Sequence, residues 1–159
     1  ALLLLAIVFT TVSCSSDESE TATKEAVVTD YNYNQVELRI VQLINNHRKN
    51  LGLNELQVIN HISYKSEGHN EYMIEKQTIS HDGFQQRSQN IINTLGAEKV
   101  AENVAYNYKT SEAALRAWLD SPGHCANIMN PAFSELGAAY ANDPQSDAGI
   151  YWTALFGAP

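Results

Sequence analysis

With 159 residues, the chain is long enough for one domain with a substantial core and too short for two. A hydrophobic content of 44% and a charged content of 18% are those of an ordinary globular protein. The formal net charge of -8 excludes the basic surface that nucleic-acid binding needs, so no nucleic-acid partner is expected.

The chain opens on "ALLLLAIVFTTVS", which carries no charge and runs into Cys14. The apolar run Leu2 to Phe9 is too short to span a bilayer but has the length of the hydrophobic part of an export signal. Neither an initiator Met nor a basic leader precedes it, which reads as a truncated start. "TVSC" (11 to 14) resembles a bacterial lipoprotein cleavage box, with Cys14 as the lipidated first residue of the mature chain; an ordinary secretory signal cut nearby is the alternative. Residues 15 to 30 then hold five acids and one base, -4 of the total -8, without helical or strand periodicity. Such a stretch reads as a solvated tether. An acidic run directly behind the cysteine also resembles the surface-export signals of some Gram-negative lipoproteins. The expected organisation is an export signal over 1–13, a lipidated cysteine and acidic flexible tether over 14–33, and one folded domain over 34–159. The membrane, reached through the lipid on Cys14, is therefore an expected partner. With Cys14 so used, Cys125 is left without an intramolecular partner, and the fold must be held by its core.

Asn34-Gln35-Val36-Glu37 has the Asn-x-x-Glu form of a capping box, followed by apolar residues at Val36, Ile40, Leu43, Ile44 and Leu51 with His47 on the same stripe. Gly52 supplies a stop. A second helix is expected from about Asn60 to Lys76, with a weaker apolar signal and Gly68 interrupting it. "TISHDGF" reads as a loop carrying His81. A short helix ends at Gly96, and "EKVAENVAYNY" reads as a partly buried strand or extended loop. A helix capped by Thr110 or Ser111 runs to Ser121-Pro122-Gly123, where the chain halts and restarts at His124. Two strands, 135–141 and 149–157, close the chain around a hairpin turn. Helices first and strands mainly last suggest an α+β fold with segregated layers.

No phosphate loop, G-x-S-x-G elbow, H-E-x-x-H pair or cysteine-rich metal spacing is present. Attention falls on the histidines. His47 and His69 lie within expected helices and read as packed, while His61, near a helix start, reads as solvated. His81 and His124 lie where regular structure stops, which is where functional groups concentrate. Glu102 sits between apolar stretches, so a partly buried carboxylate in need of partners is expected. Spacing alone does not bring these three together. Trp118 and Trp152 read as core. Tyr31, Tyr33, Tyr106, Tyr108, Tyr140 and Tyr151 read as edge tyrosines with wet hydroxyls.

"SH" (80–81), "AENVA" (101–105), "WLDSPGHCANIMNP" (118–131), "ELGAAY" (135–140) and "YWTALFG" (151–157) occur in that order. Together they resemble the CAP superfamily, the cysteine-rich secretory, antigen 5 and pathogenesis-related group, in its bacterial SCP-like form, over roughly residues 36 to 157. The resemblance implies a three-layer α-β-α sandwich with a central antiparallel sheet. It also implies a cleft lined by two histidines and acids, which in some members holds a divalent cation such as zinc. Carried over by motif, His81 and His124 are the cleft histidines and metal candidates, and Glu102 is the cleft acid. Many eukaryotic members carry a second glutamate where this chain has Ser121. Asp120, adjacent, and Glu135 are the alternative substitutes for that glutamate, with Glu135 favoured. Asn127 is expected to secure the local turn, and Cys125 to point into packing. The family's disulfides are missing.

Three readings follow. One is an anchored extracytoplasmic binding module for an unknown lipid, peptide or envelope ligand, with zinc or another divalent cation optional rather than required. Another is a metal-dependent hydrolase in which His81 and His124 hold a metal-bound water and Glu102 deprotonates it for attack on a peptide or ester carbonyl. The third makes the His/Glu cluster a structural polar network.

Overall fold

The computed structural model describes residues 25–146 and 148–159; Cys14, the export segment and most of the acidic tether lie outside the described residues. Among the described residues five helices and four strands follow one another as α1 (Gln35–Asn50), β1 (Gln57–Val58), α2 (Asn60–Lys76), α3 (Phe84–Leu95), β2 (Lys99–Tyr106), α4 (Ser111–Asp120), α5 (Pro122–Met129), β3 (Glu135–Asn142) and β4 (Ile150–Ala158). The sheet order is β1-β3-β4-β2. The three long strands pair antiparallel, and the two residues of β1 add a parallel edge to β3.

Alternation along the strands sorts side chains between two helical layers. Trp152, Ala154 and Phe156 of β4, with Leu136 and Ala138 of β3, meet Ile40 and Ile44 of α1, Leu115 and Trp118 of α4 and Ile128 of α5. On the other face Leu155 meets Ile62 of α2 and Ile91 of α3. Both tryptophans are core, as their sequence context indicates. Tyr151 departs from expectation: it is fully buried, and its hydroxyl bonds Ser146.

The capping box at Asn34 forms, and Glu37 does more than cap: its carboxylate also accepts from Tyr31 Oη (3.2 Å) and from the Tyr140 backbone (3.0 Å). Arg48, not His47, is the fully buried basic residue of α1. Its guanidinium donates five hydrogen bonds to oxygens of Asn54, Ile128, Asn130 and Phe133. That staples the end of α1 to the loop after α5.

The weak apolar signal of α2 has a structural cause. Its sheet-facing side is small and polar (Ser63, Ser66, Asn70), because the helix lies almost on the backbone of β3 at Gly137. Ser66 Oγ donates to the Gly137 carbonyl (3.2 Å), and Thr153 Oγ1 donates to Asn70 Oδ1 (2.7 Å). The described end of the expected tether is also held here. Val28 N donates to His61 Nδ1 (3.1 Å), Asn60 Nδ2 to the Thr29 carbonyl (2.7 Å), and Lys65 to Glu25 (2.6 Å). Residues 25–33 thus run against α2, which is why His61 is fully buried rather than solvated.

Candidate functional site

Glu102 is the centre of the site. Its side chain is 1% exposed and faces the α2–α3 side of β2. His81, in the loop after α2, approaches Glu102 Oε1 through Nδ1 at 2.8 Å. Arg87, in the first turn of α3, donates Nε to Oε2 and Nη2 to Oε1, both at 2.9 Å. This two-pronged pairing is the strong form of an arginine–carboxylate bond. Since an ionised carboxylate only accepts, the hydrogen in the His81–Glu102 bond is on His81 Nδ1, and the ring's acceptor is Nε2. His69 completes the group from α2, with Nε2 donating to the Ser80 carbonyl (2.8 Å) and lying 3.8 Å from Glu102 Oε1. Burial holds the His69 imidazole below its ordinary pKa, against the opposing pull of Glu102.

The other half is built on the opposite face of β2. Asn103, next to Glu102, points away from it and is fully buried. Its Nδ2 donates to the His124 carbonyl (3.1 Å), and its Oδ1 accepts from Asn127 Nδ2 (2.9 Å). These bonds fasten the start of α5 to β2. Pro122 occupies the first turn of α5, where its missing N–H costs nothing. Trp118 Nε1 donates to the Val104 carbonyl (3.1 Å) and closes α4 against the same strand. His124 is half-buried; burial, then the neighbouring His81, lowers its pKa, and among the described residues its Nδ1 has no hydrogen-bond partner.

His81 and His124 line one cleft of about 390 Å³ that crosses the free edge of β2. Ile79, Val104, Tyr106 and Trp118 give it apolar walls, and Ser121 lies in the wall at the position where a second acid was sought. Three sequence candidates do not line the cleft, and Glu102 is one of them, reaching it only through His81. Glu135, at the start of β3, packs against Gly157 and is not among the cleft-lining residues; burial raises its carboxyl pKa, and Oε2 is unpartnered. Asn127 fastens α5 to β2 and does not line the cleft. Cys125 is a half-buried free thiol. Arg87 and Asn103 are the residues of this cluster that the motifs do not single out, while His69, read as packed, is buried beside Glu102. The available signal was that Arg87 is the lone charged residue of α3.

The donor set fits a divalent cation only partly. His81 Nε2 and His124 offer imidazole nitrogens, whereas the Glu102 carboxylate is already held by Arg87 and His81. Among the described residues no group of three or more His, Cys, Asp or Glu side chains could hold a metal. Zinc sites that do chemistry usually have three protein ligands, so this pair would need solvent or ligand to complete it.

The chain belongs to the cysteine-rich secretory protein family (CAP), whose model matches residues 41–156. It is 30% identical over 123 residues to the uncharacterized protein YkwD of Bacillus subtilis, covering 76% of this chain and 46% of that protein. It therefore spans less than half the length of the curated relatives it matches. An outer surface protein from Borrelia burgdorferi has a similar fold, with a TM-score of 0.69 and 21% identity over 82% of this chain and 98% of that one. An extracellular protein containing an SCP domain from Bacillus anthracis superposes with a TM-score of 0.63 and 26% identity, over 77% of this chain and 40% of its own. The three-layer α+β architecture implied by the motifs is the one observed, and bacterial SCP-type proteins are among the relatives.

Proposed function

We propose that this protein is an extracytoplasmic binding module, tethered to the cell envelope through Cys14, whose cleft between His81 and His124 receives an amphipathic ligand such as a lipid, a peptide or an envelope polymer segment. The observation that carries this reading is the Arg87–Glu102 clamp. A general base needs a carboxylate oxygen free to take a proton from water. Both oxygens of Glu102 instead accept from Arg87, and Oε1 accepts from His81 as well. The arrangement favours holding a ligand over hydrolysing one. Apolar walls with an imidazole on either side of the strand suit a molecule having both greasy and polar parts.

A divalent cation is an accessory in this account. His81 and His124 would hold it, and it would supply a Lewis acid that attracts an anionic or carbonyl group of the ligand. At ten times its dissociation constant, zinc is expected to stabilise the wild type by about 1.4 kcal/mol, which is a rise of a few degrees in Tm. His124→Ala should lose that rise while keeping the metal-free Tm. An unchanged zinc response in the variant removes the metal from the proposal. The same samples offered a peptide and ester panel should show no turnover, and turnover abolished by Glu102→Gln would reinstate the hydrolase.

The anchor rests on "TVSC" and the apolar run before it, and the extracellular setting of the Bacillus anthracis relative agrees with export. Among the described residues no helix is long and apolar enough to cross a membrane. Cys14→Ser is expected to move the protein from the membrane fraction to the soluble one, and retention at the membrane would contradict lipidation.

A further inference from the structure

A second cavity, of about 350 Å³, lies against the outer side of α2 and extends to Asp82, Gly83 and Arg87. Tyr64, Gly68 and Tyr72 recur at four-residue intervals along α2, so they share one helix face, the Cα atoms of the two tyrosines separated along the axis by about 12 Å. The glycine between them makes a notch. A Cβ there would meet nothing within 4 Å, so close packing does not require this residue, although a mid-helix glycine weakens a helix.

Two independent features say what the notch lacks. The first is positive charge. Lys65 and Arg87 line it, but Lys65 is bonded to both oxygens of Glu25 (2.6 and 2.7 Å) and Arg87 to Glu102. Glu67, Glu71 and Asp82 also line it, and among the described residues none of the three is in an ion pair. Asp82 accepts only from the Tyr72 hydroxyl (3.1 Å) and, through its carbonyl, from Arg87 (2.7 Å). Burial, then the neighbouring Glu71 and Glu37, pushes the Glu67 carboxyl up. The second is a hydrogen-bond donor. His69 lines the notch, is 1% exposed, and uses Nε2–H on Ser80, which makes Nδ1 an acceptor; among the described residues that buried Nδ1 has no partner.

We propose that this notch binds a primary ammonium group, such as the end of a lysine side chain or of a free diamine. A primary ammonium supplies both missing items at once, a positive charge and three N–H donors. Tyrosine faces attract cations, and the walls of the notch are two tyrosines. Each ring already has an ammonium of the protein over it, Lys65 at 5.4 Å from the Tyr64 centroid and Lys76 at 5.9 Å from that of Tyr72, and each lysine is also tied to a glutamate; a ligand ammonium would share these rings with them. The site is distinct from the cleft. The two share no lining residue, and its ligand chemistry does not depend on the function proposed for His81 and His124.

Titration at low ionic strength with cadaverine, Nα-acetyl-lysine amide and tetramethylammonium, followed by NMR of the tyrosine and histidine rings, tests this. Cadaverine should saturate, with shifts centred on Tyr64, His69 and Tyr72. Tetramethylammonium, a cation without N–H, should bind about tenfold more weakly or less. Saturation by the lysine derivative as well would assign the site to peptide lysines, and saturation by cadaverine alone would assign it to free amines. Gly68→Leu fills the notch and should weaken binding at least about tenfold at an undiminished Tm. If that variant folds poorly, Glu71→Gln at the rim should weaken binding instead. The proposal is overturned if neither amine saturates, if tetramethylammonium binds as well as cadaverine, or if a folded Gly68→Leu protein binds like the wild type.

Discussion

Gly137→Ala is expected to unfold the protein or to lower its Tm by about ten degrees or more. A Cβ on Gly137 would stand well under 3.0 Å from the Ser63 nitrogen and the Ile62 carbonyl carbon, both backbone atoms of α2. A side chain could rotate away from such a contact, but a helix backbone must move bodily. That movement would strain the Ser66–Gly137 and Asn70–Thr153 bonds and the Ile62 contact with Leu155. Overpacking a core usually costs about 1–3 kcal/mol when side chains can adjust. With no such relief the cost should exceed about 3 kcal/mol, a large share of the ~5–15 kcal/mol that holds a domain together. Chemical denaturation followed by far-UV circular dichroism measures it. A midpoint near that of the wild type would mean that α2 does not lie on β3 as described.

Arg87→Met should cost about 3–5 kcal/mol at neutral pH. The substitution keeps much of the packing volume but leaves Glu102, 1% exposed, with only His81 and the more distant His69 to oppose its charge. A buried carboxylate so deprived tends to take up a proton. The penalty should therefore shrink at mildly acidic pH, and Arg87→Met combined with Glu102→Gln should recover most of the loss. If the double variant is as unstable as the single one, Arg87 acts through packing and the clamp is not the relevant interaction.

Much of this architecture can be read from residue order. The bounds of α2 follow from the break at "TISHDGF", Gly96 ends α3, and the Ser-Pro-Gly stop separates α4 from α5. The β3–β4 hairpin follows from two alternating runs around a turn. What escaped reading is what depends on distant partners. β1 is two residues long and offers no periodicity to detect. His61 looks like a solvated helix-start residue until residues 25–33 fold over it. Glu135 shares the charge of a cleft acid, but β3 carries it to Gly157 instead.

The site divides in the same way. Motifs single out His81, Glu102 and His124, and the structure brings His81 onto Glu102 while both histidines line one cleft. His124 does not touch Glu102, because successive strand residues face opposite ways and α5 is fastened through Asn103. Arg87 was the harder case. An arginine in an otherwise uncharged polar helix reads as a solvated residue, and only the packing of α3 beside β2 turns it onto the carboxylate. That one contact changes the chemistry of the site, since it converts a potential base into an anchor for an imidazole.

Glu102, held by Arg87, fixes the His81 ring and leaves Nε2 as its acceptor in the cleft. Long-range proton–nitrogen NMR correlation of the histidine rings at mildly alkaline pH reads this directly. His81 should carry its proton on Nδ1, and Arg87→Met should abolish this fixed state. A His81 ring carrying its proton on Nε2, or exchanging freely between tautomers in the wild type, would contradict it.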